Sequence, residues 1–279
     1  MIEWFELHGI KIIITIAIGL ISFFVIYIFI PKIIYRTVKI GMHNKPDIEI
    51  KKRSRTLSRV VRNSAALIIG LIVLFTVLAE VGVNIGPALA GLGVIGLAVG
   101  FGAQSMVKDL INGLFILIEN PYSIGDVVTV AGISGLVEEM NLRRTIIRDL
   151  DGVVHYIPNS EINIASNFTK EFSRVNLNIP VSYNEDLDRV IDEINLVCDA
   201  ISADPAWGKK ILKKPQVLRV DNLGDSGIDI KILGDTVPLE QWAVTGELRK
   251  RIKAAFDQKG IEIPWPHMKV YFGNQPLKK

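Results

Sequence analysis

The sequence predicts a membrane protein in two parts. Three transmembrane helices per chain come first, followed by a small β-barrel domain, an α+β domain of ferredoxin-like order and a C-terminal strand. Three observations carry this reading. Across 279 residues the mean hydropathy is +0.34, high for a water-soluble chain. Long runs without a charged side chain all fall before Lys108. Residues 1–119 hold 12 basic and 7 acidic residues, whereas residues 120–279 hold 20 and 22 and have the composition of an ordinary soluble protein. The expected division is a transmembrane domain over 1–107 with helices near 10–32, 60–81 and 85–105, and an amphipathic helix over 106–119. A β domain over 120–171, an α/β domain over 172–263 and a strand and tail over 264–279 follow.

Ile12 to Ile30 is a run of 19 uncharged residues, about 28 Å as a helix and therefore long enough to span hydrocarbon. A signal peptide is disfavoured: Glu3 and Glu6 precede the run, its length is too great, and no small-residue cleavage pattern follows. Asn63 to Ala79 gives a second run, flanked by Arg62 and Glu80. Val81 to Val107 gives a third, of 27 residues with seven glycines and four alanines. Ten basic residues lie between Lys32 and Arg62 against Asp47 and Glu49. By the positive-inside rule that loop and residues 108–279 face the cytoplasm, and the N-terminus lies outside. The Lys51–Arg55 cluster reads as this topology signal in preference to an anionic-lipid site.

A net charge of +3 gives no argument for a nucleic-acid partner. One cysteine excludes an intrachain disulfide, and the four histidines, at 8, 43, 155 and 267, lack metal-ligand spacing. Asp149-x-Asp151-Gly152 lacks the length and closing Glu of a calcium loop. Gly91-Leu92-Gly93-Val94-Ile95-Gly96 matches a dinucleotide fingerprint in letters only, since it sits inside an uncharged run with no preceding strand. The expectation is a protein that is not an enzyme and carries no cofactor or metal.

Glycine in a membrane helix lets backbones approach closely, and Gly82-x-x-x-Gly86 and Gly96-x-x-x-Gly100 have the spacing for it. Ala90, Gly93, Leu97, Phe101 and Gln104 share one helical stripe, with Gly96, Gly100 and Ala103 beside it. The small residues Ala90, Gly93, Gly96, Ala98 and Gly100 are candidate packing positions. Composition alone fits two arrangements equally: many copies around an axis, with Leu97 and Phe101 facing it, or one helix packed on its own first two spans. Ser105 and Gly113 are candidate kink points, because serine and glycine weaken helix continuity.

Downstream, β-branched runs at Asp126–Val130, Gly135–Asn141, Arg143–Arg148 and Val153–Ile157 alternate with turn signals and predict a small antiparallel barrel. A strand at Val175–Ser182 precedes apolar residues at helical spacing from Leu187 to Ile201, which place Cys198 in the core. Strands at Val217–Val220 and Ile228–Leu233 and a helix carrying Val244, Leu248, Ile252 and Phe256, ended by Gly260, complete the α+β order. Pro264 and Pro266 isolate a last strand, His267–Phe272. It pairs either with its symmetry copies in a parallel barrel or with its own sheet.

The glycine-rich run Gly91–Gly113, with Glu119-Asn120-Pro121-Tyr122, Ser123-Ile124-Gly125-Asp126 and Ile157-Pro158-Asn159-Ser160, resembles the bacterial small-conductance mechanosensitive channel family over roughly residues 60–272. The resemblance implies a homoheptamer in the bacterial inner membrane, in contact with lipids and passing ions and small solutes. Each third helix lines the pore, and Leu97 and Phe101 occupy its apolar constriction. One kink position of the family matches Ser105, where a glycine would be the usual residue, and a second matches Gly113. The expected function is a pore opened by membrane tension during hypoosmotic shock. The competing readings are a membrane-anchored adaptor and a secondary transporter, the latter disfavoured by spans that hold no acid or base.

Overall fold

The computed structural model describes residues 8–42, 46–266, 268 and 270. The chain divides into two compact units, residues 1–102 and 103–279.

The first unit is built on α1 (Ile10–Gly41) and α2 (Asp47–Glu80), which pack along each other. Gly19 of α1 is buried against Val73 of α2. Where α1 begins and α2 ends, His8 Nδ1 lies 2.6 Å and Lys11 Nζ 3.6 Å from the Glu80 carboxylate. Both helices outrun the predicted spans of 10–32 and 60–81. Those spans marked where apolar residues stop, but Lys, Arg and Glu are good helix formers and continue the helix beyond the hydrocarbon. Pro46 precedes α2, and Asp47 and Glu49 in its first turn face the positive end of the helix dipole.

The third span and the amphipathic segment predicted after it are one helix, α3 (Gly86–Glu119), with no boundary at 105–106. An amphipathic pattern needs no new helix, only a change in what surrounds it. All three helices are long and apolar enough to cross a membrane.

In the second unit β1 (Val127–Val130), β2 (Ile133–Met140), β3 (Arg144–Arg148), β4 (Val154–Pro158) and β5 (Ala165–Asn167) form an antiparallel sheet in the order β4-β3-β2-β1-β5. Ala131 and Gly132 connect β1 to β2 with φ of 49° and 77°, the pair of positive angles that a two-residue type I′ hairpin requires. Tyr122 is fully buried with Val128, Val130, Val137 and Ile147. Asp126 ties the sheet to the chain before it: its carboxylate accepts from the Ser123 amide at 2.8 Å, Asn167 Nδ2 at 2.9 Å and the Thr169 hydroxyl at 3.1 Å.

The α+β part has β6 (Ser173–Val181), α4 (Leu187–Ala203), β7 (Ile211–Leu223), β8 (Ile228–Thr236) and α5 (Gln241–Lys259), with sheet order β6-β8-β7. Alternate residues of β6 (Val175, Leu177, Ile179, Val181) are buried with Ile194, Cys198, Leu248 and Phe256 from the two helices. Burial pushes the Cys198 thiol up to about 12, which leaves a small hydrophobe without thiolate reactivity. Gly260 ends α5 in the left-handed region, φ 66°. The predicted strand His267–Phe272 lies outside the described residues except for Met268 and Val270.

Asp204, which ends α4, receives Arg251 Nη2 of α5 at 2.7 Å, and the same guanidinium reaches Glu247 at 2.8 Å. The Arg251 hydrogen bond holds the Asp204 carboxyl below its ordinary 3.8. A depressed carboxyl stabilises the fold fully above its unfolded value, and that contribution disappears as pH falls through the folded one. Thermal melts of the full chain in detergent should therefore lose stability below pH 3.8 less steeply in Asp204→Asn than in wild type. At pH 7 the variant should melt lower. Parallel pH profiles would refute this.

Candidate pore helix and its anchor

Residues 86–108 of α3 are exposed in the single chain except for Leu92 and Ala103, which are half-buried. Leu97 and Phe101 are 64% and 74% exposed. They sit four residues apart on one face, a rise of about 6 Å. A Cβ built on Gly93, Gly96 or Gly100 would meet nothing within 4 Å, and Ala90 and Ala98 are likewise exposed. The predicted constriction and packing residues are thus brought to one helix whose small-residue seam is unfilled within its own chain. Neither α1 nor α2 fills that seam at Gly93, Gly96 or Gly100.

The end of α3 is anchored in the second unit. Asp109, only 4% exposed, accepts the Ser160 amide at 2.8 Å, with Arg143 Nε at 4.0 Å. Asn112 Nδ2 donates to the Asn159 carbonyl at 3.1 Å. The Asn159 side chain donates to the Asn141 carbonyl at 2.9 Å and accepts the Thr145 hydroxyl at 3.1 Å. Thr145 Oγ1 is in turn 3.1 Å from the Tyr122 hydroxyl. The Pro-Asn-Ser and Asn-Pro-Tyr motifs, far apart in sequence, are therefore two ends of one buried polar network beneath α3. Buried polar groups must be satisfied, and here each partner comes from a different segment.

Gly113 is buried, and a Cβ there would collide with the Leu142 carbonyl oxygen and the Asn159 amide nitrogen. Its lack of a side chain thus answers a close approach. Ser105 is exposed, and α3 is helical through both positions. Asp109, Asn112 and Arg143 were not singled out as site residues from sequence. The available signal was an acid set inside an apolar run, because such a group needs a specific partner.

Similarity to known proteins defines the class. Residues 65–104 match "Mechanosensitive ion channel, transmembrane helices 2/3", residues 105–170 "Mechanosensitive ion channel, beta-domain" and residues 175–263 "Mechanosensitive ion channel MscS, C-terminal". The chain is 34% identical over 271 residues to the small-conductance mechanosensitive channel of Caldanaerobacter subterraneus subsp. tengcongensis, covering 97% of this chain and 94% of that one. It is also 34% identical over 253 residues to the moderate conductance mechanosensitive channel YbiO of Escherichia coli, covering 90% of this chain and 34% of that longer one. The fold matches the closed-state crystal structure of Helicobacter pylori MscS with a TM-score of 0.62 at 24% identity, covering 94% and 99% of the two chains. The chain belongs to the MscS family of mechanosensitive ion channels and is a membrane protein.

Replacing Gly113 by Ala should disrupt the seat of α3 on Leu142 and Asn159. Overpacking of this kind costs about 1–3 kcal/mol. A lower melting temperature for the full chain checks it, and an unchanged one would mean that α3 shifts freely on the β domain.

Proposed function

We propose that this chain forms a homo-oligomeric pore, a heptamer, that opens under membrane tension and releases ions and small solutes during hypoosmotic shock. The observation that carries the reading is a helix seamed with glycine and alanine, unfilled within its own chain, with Leu97 and Phe101 on one face. Lipid tails are as apolar as leucine, so a membrane helix gains from such a seam only by close backbone contact with another helix. Symmetry copies packed seam to seam direct Leu97 and Phe101 at the axis. Rings of these side chains make a narrow apolar neck from which water withdraws, and a dry neck does not pass ions.

Tension shifts the equilibrium toward the open state to the extent that the open state occupies more membrane area. The lipid-facing helices α1 and α2 take up that strain, while the Asp109, Asn112 and Gly113 contacts keep the end of α3 seated on the β domain. The channel resides in the bacterial inner membrane with its N-terminus outside and residues 108–279 in the cytoplasm, as the basic residues between Lys32 and Arg62 direct.

Excised patches of liposomes carrying the purified protein, recorded under suction, test the reading. Wild type should show unitary currents that appear above a threshold tension. Leu97→Ser or Phe101→Ser should hydrate the neck and lower the threshold. Silent patches from correctly assembled protein would overturn the function, whereas unchanged thresholds in both variants would overturn the constriction alone.

A further inference from the structure

Strands β3 and β4 and the turn before β3 border a cleft of about 370 Å³, within the size range of ligand-binding clefts. Asn141, Arg143, Arg144, Tyr156 and Pro158 line it. Thr145 and Ile147 are buried, so by alternation Arg144 points outward, and the β3–β4 register sets Pro158 and Tyr156 beside it. A second arginine next to it on the strand would point to the opposite face. Arg143 escapes that rule because it lies in the turn, where the Asn141 side-chain oxygen accepts the amides of Arg143 and Arg144 at 3.0 Å each. Two adjacent arginines thereby face one cleft.

Their charges are not spent elsewhere. Arg148, Arg174, Arg219 and Arg251 pair with Glu138, Asp235, Asp221 and Asp204. Arg144 makes no ion pair among the described residues and lies 5.0 Å over the Tyr156 ring, which holds the guanidinium along the cleft wall. Arg143 is held loosely: its Nε stands 4.0 Å from the Asp109 carboxylate, and its side chain is 69% exposed. No acidic side chain lines the cleft among the described residues. Like charges so gathered repel one another, and a solvated sheet face alone gives no reason to gather them. Because Arg143 also borders Asp109, an occupant of the cleft lies one side chain away from the seat of α3.

We propose that this cleft binds the phosphate group of a small water-soluble metabolite. A carboxylate carries one charge on a pair of oxygens, which a single guanidinium fork satisfies. Two forks and the Tyr156 hydroxyl suit a group with more oxygens and nearly twice the charge, as a phosphate ester has at pH 7. The cleft is larger than a phosphate and leaves room for a small organic group against the Tyr156 ring and Pro158. Those two are the apolar part of the lining and make too short a track for an acyl chain, so the phosphate belongs to a soluble molecule and not to a lipid. The inference stands on the second unit alone, independently of the pore.

The test is phosphorus NMR of inorganic phosphate, titrated with the purified, delipidated full-length protein in a phosphate-free detergent. Exchange onto a large, slowly tumbling protein broadens the phosphate line. Wild type should broaden it, and Arg144→Gln should weaken binding by about tenfold or more, because charge-assisted hydrogen bonds are lost. Arg219→Gln, altered at an arginine already paired, should behave as wild type. If Arg144→Gln fails to assemble, Arg144→Lys is read instead: it keeps the charge, loses the paired donors and should also bind phosphate more weakly. A line left narrow by wild type would overturn the proposal, as would equal broadening by wild type and the Arg144 variant or an equal loss in Arg219→Gln. Displacement of phosphate by an equal concentration of acetate would overturn it too, since the cleft would then take any small anion. Displacement by a lower concentration of phosphatidylglycerol would overturn the soluble ligand in favour of a headgroup.

Discussion

A bilayer offers a helix no hydrophobic reward for finding a partner, and it satisfies no stray backbone group. Helix α3 is shaped by that constraint. Its glycines cost helix propensity, about 1 kcal/mol each relative to alanine. Within the single chain they return no contact, because Gly93, Gly96 and Gly100 face open space. Bulkier residues would serve a helix standing in lipid just as well. In the proposed assembly the seam closes against copies of itself, and that closure would place Leu97 and Phe101 where an apolar neck forms.

The same helix changes character along its length. Up to Val107 it is bare in the single chain, and the proposed pore would surround it with membrane and symmetry copies; at Asp109, Asn112 and Gly113 it is seated on the β domain. Asp109 buries a carboxylate under the Ser160 amide, Asn112 reaches the Asn159 carbonyl, and Gly113 admits the Leu142 backbone. One buried acid with a backbone donor and a nearby guanidinium costs much if a partner is removed. The junction therefore behaves as a specific seat rather than as a greasy contact. Motion of the upper helix has to be absorbed along α3 itself or passed to the sheet.

The two-part organisation, the three spans and the order of strands and helices were legible in the sequence because each rests on periodicity or on runs without charge. Helix ends were not. Residues such as Lys39 and Arg55 read as loop because they are charged, yet charge reports the depth of the bilayer and not the end of a helix. The strand Ala165–Asn167 escaped because three residues carry no alternation, and it exists through pairing with Val128–Val130. Leu97 and Phe101 shared a helical stripe with Ala90, Gly93 and Gln104, and it was the family resemblance that singled them out as a constriction. The anchor did not stand out, because Asp109 and Ser160 are 51 residues apart and nothing local couples them. Gly113 was legible as an unusual residue but not for its reason, which lies in the backbone of another segment.

In the proposed pore Leu97 and Phe101 face the conduction path. Cysteine accessibility in suction-activated patches tests that placement, with Cys198 left in place because it is buried. A small water-soluble methanethiosulfonate reagent applied while the pore is open should cut the current through Leu97→Cys and Phe101→Cys within seconds. It should leave wild type and Ile95→Cys unchanged. Loss of current in Ile95→Cys with Leu97→Cys and Phe101→Cys unaffected would contradict the account, since the opposite face of α3 would then line the pore.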